Sequence, residues 1–345
     1  MSNQTQNVLW ASKRLQDATP NLTRTPKLPL NDKGLYDKAP AQYPTFQIRN
    51  MRREDIAAAA GIFYHAFNTF NASVGLPREW DSVEQAHFLV TALYEHPNYL
   101  AWVAEENGTG RVIGSNFLDV SDEVNAPGPM SIAPDAQNAK VGRAFMNFFK
   151  EYCLEIGKPE IRFVQVGNNT KSFALYSSLG YIPRETLTMM KGRVSPEMAS
   201  RYSDRYLARR MEPADVATCN KLYFDSVGVA RYHDINNALA PGAPYDAWVL
   251  LDKTQAGRVV AYTTGYFLLG HGIYAGEEAF QALFSLVSAQ AAQESVFHLM
   301  AQRYPGVLLW AVRDAKIKVV RQQILMSHGK YRNPEGALYF PGMGY

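Results

Sequence analysis

Apolar positions recur along this chain with two periods, one near two and one near three and a half. Phe46, Ile48 and Met51 alternate with polar neighbours and predict a short strand. Arg53-Glu54-Asp55 then opens a helix that runs through Ile62, Phe63 and Phe67. A second helix is expected over Ser82–Glu95. Leu100–Glu105 and Val112–Asp119 read as two strands around the turn Asn107-Gly108-Thr109-Gly110. Pro129–Ala133 is a further short strand. Phe145, Phe148, Phe149 and Tyr152 form an aromatic stripe on the next helix. Ile161–Val166 is a strand, Ser172–Leu179 a helix ended by Gly180, and Thr186–Met190 a closing strand.

The same opening then recurs. Arg49, Met51, Asp55 and Ile62 match Arg209, Met211, Asp215 and Leu222 at one constant spacing. Gly110-Arg111-Val112 matches Gly257-Arg258-Val259 at a shorter one, as a shortened connection would give. Phe280–Phe284 start a helix, Val307–Val312 predicts a strand, and Val319–Met326 the last helix. The reading is two copies of one α/β unit. Ahead of them, residues 1–45 carry five prolines and no sustained period, which predicts an irregular arm that wraps a domain or stays mobile. Val8, Leu9, Trp10 and Leu15 suggest a short amphipathic helix within it.

Composition narrows the class. At 345 residues the chain suits two domains, and 47% hydrophobic against 19% charged residues marks it as globular. A net charge of +3 argues against nucleic acid or an anionic membrane as the main partner. Cys153 and Cys219 read as buried thiols in a reducing compartment. No cluster has metal-ligand spacing, and no apolar run is long enough for a membrane span. The polar residues Asn3, Gln4 and Gln6 speak against a secretion signal, so a cytoplasmic location is expected.

Two stretches carry candidate chemistry. From Pro129 to Arg143 a short strand ends in a small-residue loop that opens a helix. Such a loop presents backbone N–H groups and a positive helix end to an anion. Gly142 lets a bulky pyrophosphate approach the backbone, and Lys140 and Arg143 add charge. An ordinary strand-to-helix loop would read the same. The second stretch, Asn169 to Tyr181, follows the strand Ile161–Val166.

Together these stretches resemble the GCN5-related N-acetyltransferase (GNAT) superfamily. In its pyrophosphate loop the family has a Gln or Arg, then a glycine, then a Gly or Ala; Gln137, Lys140 and Gly142 stand there. Asn169, Ser172, Leu175, Tyr176, Gly180 and Tyr181 match the later motif throughout. The resemblance covers all but the arm and is to the tandem-domain type. It places a catalytic acyl-CoA-binding domain at 46–192, a linker at 193–204 and a degenerate second domain at 205–345. Gly270-His271-Gly272, Met326–Tyr331 and Tyr345 belong to the second match. The implied fold is α/β (α+β), with a mixed, mostly antiparallel sheet flanked by helices in each domain. Glycine is replaced by Lys140, which fits poorly at φ > 0. The loop does not need that conformation, or its grip is weakened, or Lys140 contacts a CoA phosphate. Glu277 and Glu278 would repel phosphates in the second domain, so one CoA site per chain is expected.

The resemblance implies direct acyl transfer from acetyl-CoA or another short acyl-CoA to a small-molecule amine, without a metal. Ser131, Ile132 and Ala133 would polarise the thioester. Gln137, Asn138, Ala139, Lys140, Val141, Gly142 and Arg143 would hold the pyrophosphate, with Asn169 and Ser172 further along the cofactor. Tyr176 occupies the position that protonates the departing thiolate, or only packs on the pantetheine. Candidate bases are Asp119, Asp122 and Glu123 after the strand Val112–Asp119, and His65 on the first helix. His271, between two glycines, reads as a turn residue and Cys153 as core. Phe63, Tyr64, Phe67, Phe70 and Trp80 hint at an aromatic or apolar acceptor. Transfer to a hydroxyl and a non-catalytic binding protein are the competing readings.

Overall fold

The computed structural model describes residues 28–241, 243 and 245–344. The candidate helix around Val8–Leu15 and the terminal Tyr345 lie outside them. In the first half the elements are β1 (Ala41–Gln42), β2 (Phe46–Asn50), α1 (Ile56–Ser73), α2 (Val83–Glu95), β3 (Tyr99–Glu106), β4 (Val112–Asp119), β5 (Ala126–Pro127), β6 (Ser131–Ile132), α3 (Val141–Glu155), β7 (Ile161–Val166), α4 (Thr170–Ser178) and β8 (Ile182–Gly192). The second half adds α5 (Pro196–Ser200), β9 (Tyr206–Arg210), α6 (Val216–Val227), α7 (Tyr232–Asn237), β10 (Trp248–Asp252), β11 (Arg258–Thr263), β12 (Gly272–Tyr274), α8 (Glu277–Ser288), β13 (Ser295–Leu299), α9 (Pro305–Leu309), β14 (Lys318–His328) and β15 (Leu338–Phe340). The fold is a mix of helices and mostly antiparallel sheets, as expected.

Two compact units emerge. The first holds the described residues through Leu118 together with Pro129–Pro159, and the second holds Asp119–Gly128 with Glu160–Tyr345. In the first, β1, β2, β3 and β4 pair in sequence order and β6 joins β4. The stripe of α3 faces Trp102 of β3, whose ring centroid lies 5.4 Å from Phe148, 5.2 Å from Phe149 and 5.5 Å from Tyr152. Buried aromatics of this kind each contribute on the order of 1.5–3 kcal/mol. Met51, Ile56, Phe63, Val90, Leu93, Val103 and Phe117 form a second cluster with α1 and α2. The described part of the arm is tied down here. Lys33 Nζ donates to the carbonyls of Tyr94, His96 and Tyr99, and Tyr152 Oη donates to the carbonyl of Tyr36.

The second unit contains two sheets. One has the order β15-β12-β11-β10-β9 and the other β13-β8-β14-β7. In the latter, the outer strand of each repeat pairs with the inner strand of the other: β7 with β14, β13 with β8. The inner strands β8 and β14 pair with each other. The repeats are thus exchanged along this sheet, and the compact units do not follow the repeat boundary. Residues 193–204 hold α5, with Met198 and Tyr202 packed against the core.

The matched residues do matched work. Arg49 forms a two-pronged pair with Asp55 (2.7 and 2.9 Å), and Arg209 does the same with Asp215 (2.6 and 2.8 Å). Each aspartate also accepts the N–H three residues earlier, at Arg52 and Glu212. Strand and helix are locked together identically in both copies.

Two expectations fail. Val307–Val312 is not a strand; Pro305 starts a short helix that continues as a π-turn over Trp310–Asp314. Proline fits the first helical turn, and a short apolar run does not distinguish strand from helix. Val319–Met326 is not a helix but the middle of β14, because both neighbouring strands offer it ladder hydrogen bonds. The corresponding strand of the second repeat is Ser295–Leu299. Cys153 and Cys219 are both free and buried. Among the described residues no helix is long and apolar enough to cross a membrane.

Candidate active site

Within the first unit, Gly114 stands opposite Ile132 and Ser115 opposite Ser131, their hydroxyls 3.1 Å apart. Ala133 N donates to the carbonyl of Ile113 at 2.9 Å. Pairs in an antiparallel ladder alternate, so the N–H of Ile132 points away from β4. Of the three amides expected to polarise a thioester, Ala133's is therefore committed to the sheet, and Ile132's faces the open edge.

The loop then turns through a 3-10 segment at Pro134–Ala136 and enters α3. Lys140 is the residue that makes the turn, at φ 62° and ψ 17°. The left-handed conformation is present although a lysine holds it, at a strain of about 1 kcal/mol. Its side chain does not cap the helix, and no acidic residue lies in the first turn. The N–H groups of Val141 and Gly142 have no carbonyl to bond within the helix. Gln137, Asn138, Ala139, Lys140 and Arg143 are exposed; Val141 is buried and anchors the turn. The nearby Asp135 is engaged by Arg111 at 2.7 Å. An uncapped, acid-free helix start of this kind suits a phosphate group.

The equivalent helix of the second repeat is different. Glu277 and Glu278 occupy the first turn of α8. Glu278 pairs with Arg205 at 2.7 Å, and the Glu277 carboxylate packs against Gly306.

Within the second unit, Asn169 caps α4 by accepting the Ser172 N–H at 3.1 Å. The Asn–Ser spacing of the motif thus serves the helix start. Tyr176 is buried on α4, with its ring 4.8 Å from that of Phe163 on β7. Burial pushes its phenol up to about 12, while a hydrogen bond from Ser172 opposes the rise. The group therefore holds its proton at neutral pH.

The candidate bases separate. His65 is exposed on α1. Glu123 is exposed and accepts the Ala230 N–H at 3.2 Å. Asp119 accepts the N–H of Ser121 at 2.8 Å, and burial together with Asp234 raises its carboxyl above the usual range. Asp122 is the most altered of them: burial pushes it up to about 7, although it accepts the N–H groups of His233 and Asp234 at the start of α7. Residues 119 to 122 thus meet a polar network from the second repeat, which local sequence patterns do not reveal. Asp234 lies 2.8 Å from Arg231 and 3.1 Å from His271. Its charge is favoured by both despite burial.

His271 is not a turn residue. It is fully buried, bonded to the Tyr262 hydroxyl at 3.0 Å, and burial lowers it to about 4. A Cβ on Gly270 would stand 2.0 Å from the carbonyl of Gly265, and one on Gly272 2.3 Å from the Tyr274 hydroxyl. The two flanking glycines let the chain pass close to Gly265 and to the Tyr274 ring. Among the described residues no group of three or more His, Cys, Asp or Glu side chains can hold a metal ion.

Residues 97–183 match the acetyltransferase (GNAT) domain. A Pyrococcus horikoshii chain assigned to the acetyltransferases shares the fold over 88% of this chain and 95% of its own, with TM-score 0.64 and 14% identity. A GCN5-related N-acetyltransferase from Sphaerobacter thermophilus matches over 89% and 99%, with TM-score 0.55 and 12% identity. The glucosamine N-acetyltransferase region of a fungal multi-domain GH3 β-N-acetylglucosaminidase matches over 83% of this chain and 38% of that one, with TM-score 0.58 and 14% identity. No curated protein matches the sequence. Residues 97–183 thus match an acetyltransferase (GNAT) domain, and the chain as a whole shares the fold of these solved acetyltransferases. Of the two equivalent helix starts, that of α3 is free of acidic residues in its first turn and that of α8 carries two.

Proposed function

We propose that the protein transfers an acetyl or other short acyl group from acyl-CoA to a small-molecule amine by direct attack. The observation that carries this reading is Lys140, held left-handed at the uncapped start of α3. A side chain is strained there to keep a backbone shape that suits a pyrophosphate. In this reading Val141 and Gly142 supply N–H donors, and Lys140 and Arg143 supply charge. The Ile132 N–H stabilises the oxyanion as it forms. Tyr176 protonates the thiolate as the C–S bond breaks. Asp119, with its raised carboxyl, is the base in this reading, and Glu123 serves as a contact to Ala230. An amine acceptor agrees with the glucosamine-acetylating region that shares the fold.

The test is calorimetry with CoA, followed by thiol release from acetyl-CoA against a panel of amines and matched alcohols. One CoA per chain and turnover with amines are expected. Two equivalent sites, no CoA binding, or turnover with alcohols alone would overturn the proposal.

A further inference from the structure

Gln165 is 6% exposed, and neither its carboxamide oxygen nor its nitrogen has a hydrogen-bond partner among the described residues. Burying such a group unpaired is costly, because it gives up water and gains nothing in return. Its surroundings explain the deficit. Along this face of β7 the neighbours are Phe163 and Gly167, and across the ladder stands Ile324. None of the three has a side chain that donates or accepts. One step along the face, Gln322 stands opposite Thr188, whose hydroxyl donates to its oxygen at 3.1 Å. The same residue type is thus satisfied where a hydroxyl faces it and left open where apolar groups surround it.

The location gives the deficit a use. Phe163 and Gln165 alternate onto one face of β7, and Tyr176 packs on that face, its ring 4.8 Å from that of Phe163. Gln165 is therefore about 7 Å along the strand from the residue that Tyr176 meets. Its carboxamide combines a donor and an acceptor, and the complement of that pair is a secondary amide, with one C=O and one N–H. A single water is a poor substitute here, because Phe163 and Ile324 give it no further partners.

We propose that Gln165 is a substrate-binding residue whose carboxamide pairs with an amide group of the bound reactants beside Tyr176. Acyl-CoA itself brings such a group: in its pantetheine arm an ethylene spacer separates the sulfur from the first secondary amide. An amide-bearing acceptor is the other source of the same chemistry. In either case the carboxamide is unpaired in the free protein and satisfied in the complex, so the fold carries a local cost that binding removes. This assignment rests on the acyltransfer reading, which puts the departing thiolate at Tyr176.

Two variants of the full chain test it, Gln165→Met and Gln165→Leu, both close in volume and without the carboxamide. In urea titrations their midpoints should equal or exceed that of the parent, since a buried unpaired group is lost. Midpoints well below the parent in both would show that the carboxamide is satisfied within the free protein and would overturn the inference. Calorimetry then reads CoA against adenosine 3′,5′-bisphosphate, which lacks the pantetheine arm. If the arm is the partner, CoA affinity falls about tenfold in both variants while bisphosphate affinity is unchanged. Equal losses for the two ligands would mean a general effect on the site and would count against the pairing. If the acceptor is the partner, CoA affinity holds, and the KM of phenylalaninamide rises about tenfold while that of phenethylamine does not. Parental CoA affinity together with parental KM values would overturn the inference and leave the acyltransfer reading intact. A parent that binds no CoA and acylates no amine would defeat that reading, and the proposed pairing with it.

Discussion

Replacing Lys140 by glycine should make the protein more stable. Lys140 sits at φ 62° and ψ 17°. A residue with a Cβ is strained there by roughly 1–2 kcal/mol, and a glycine loses about 0.5–1 kcal/mol of that gain to its freer unfolded chain. The net expectation for Lys140→Gly is stabilisation by ~0.5–1 kcal/mol; Lys140→Val, branched at Cβ, should be destabilised by about 1 kcal/mol or more. The first turn of α3 reports the change, because Ala144 N donates to the Lys140 carbonyl at 3.0 Å. At a tenfold effect per 1.4 kcal/mol, the Ala144 amide should exchange with solvent about two to five times more slowly in the glycine variant. Native-state hydrogen exchange followed by NMR reads this directly. Equal or faster exchange in Lys140→Gly would show that the left-handed turn is not the source of strain. CoA calorimetry completes the test: the glycine variant keeps the loop shape and loses one ammonium. Its affinity deficit should therefore shrink as salt is raised.

Gly142→Val is expected to weaken CoA binding by more than about tenfold while circular dichroism stays unchanged, since a branched side chain would stand where phosphate approaches; unaltered affinity in the folded variant would remove the loop from the site. Tyr176→Phe should bind CoA like the parent and lose ~10²–10⁴-fold in single-turnover transfer; parental rates across neutral pH would leave Tyr176 as packing only. Asp122→Asn tests the buried carboxyl. A folded value near 7 lies above that of the unfolded chain, so the parent loses stability at this site as pH rises from about 4 to 7. Neutral His271, lowered to about 4, acts in the opposite sense over roughly pH 4–6.5. The stability difference between Asp122→Asn and the parent should then grow from pH 4 to 7 and stay level above it in urea titrations. A flat difference would mean that Asp122 titrates normally.

Much of the first repeat was legible because local pattern and final environment agree there. The α3 stripe at Phe145, Phe148, Phe149 and Tyr152 reads as a helix and packs as one on Trp102. Ile161–Val166 was bounded correctly by its apolar run. Lys140 was harder: its residue type argues against the conformation that the loop imposes. At the C-terminal end, Arg321-Gln322-Gln323 favours a helix locally, and only the two flanking strands make it β14. Gln165 is ordinary in sequence, because an unpaired carboxamide is visible only once its neighbours are in place. Asp122 was among the residues suspected, yet its burial under α7 depends on residues far along the chain. His271 shows the same limit, since its two glycines signal a turn equally well when they instead let the chain pack against Gly265 and Tyr274.

The exchanged sheet has a consequence for how the chain is made. Strand β14 lies between β7 and β8, yet the ribosome adds it only after residues 193–317 have emerged. Until then β7 and β8 carry open edges, which invite pairing with other chains. Expressing the first repeat alone would make that waiting state permanent. Cutting the chain at the repeat boundary would therefore leave two unpaired strands, β7 and β8, of a sheet whose other two, β13 and β14, are gone.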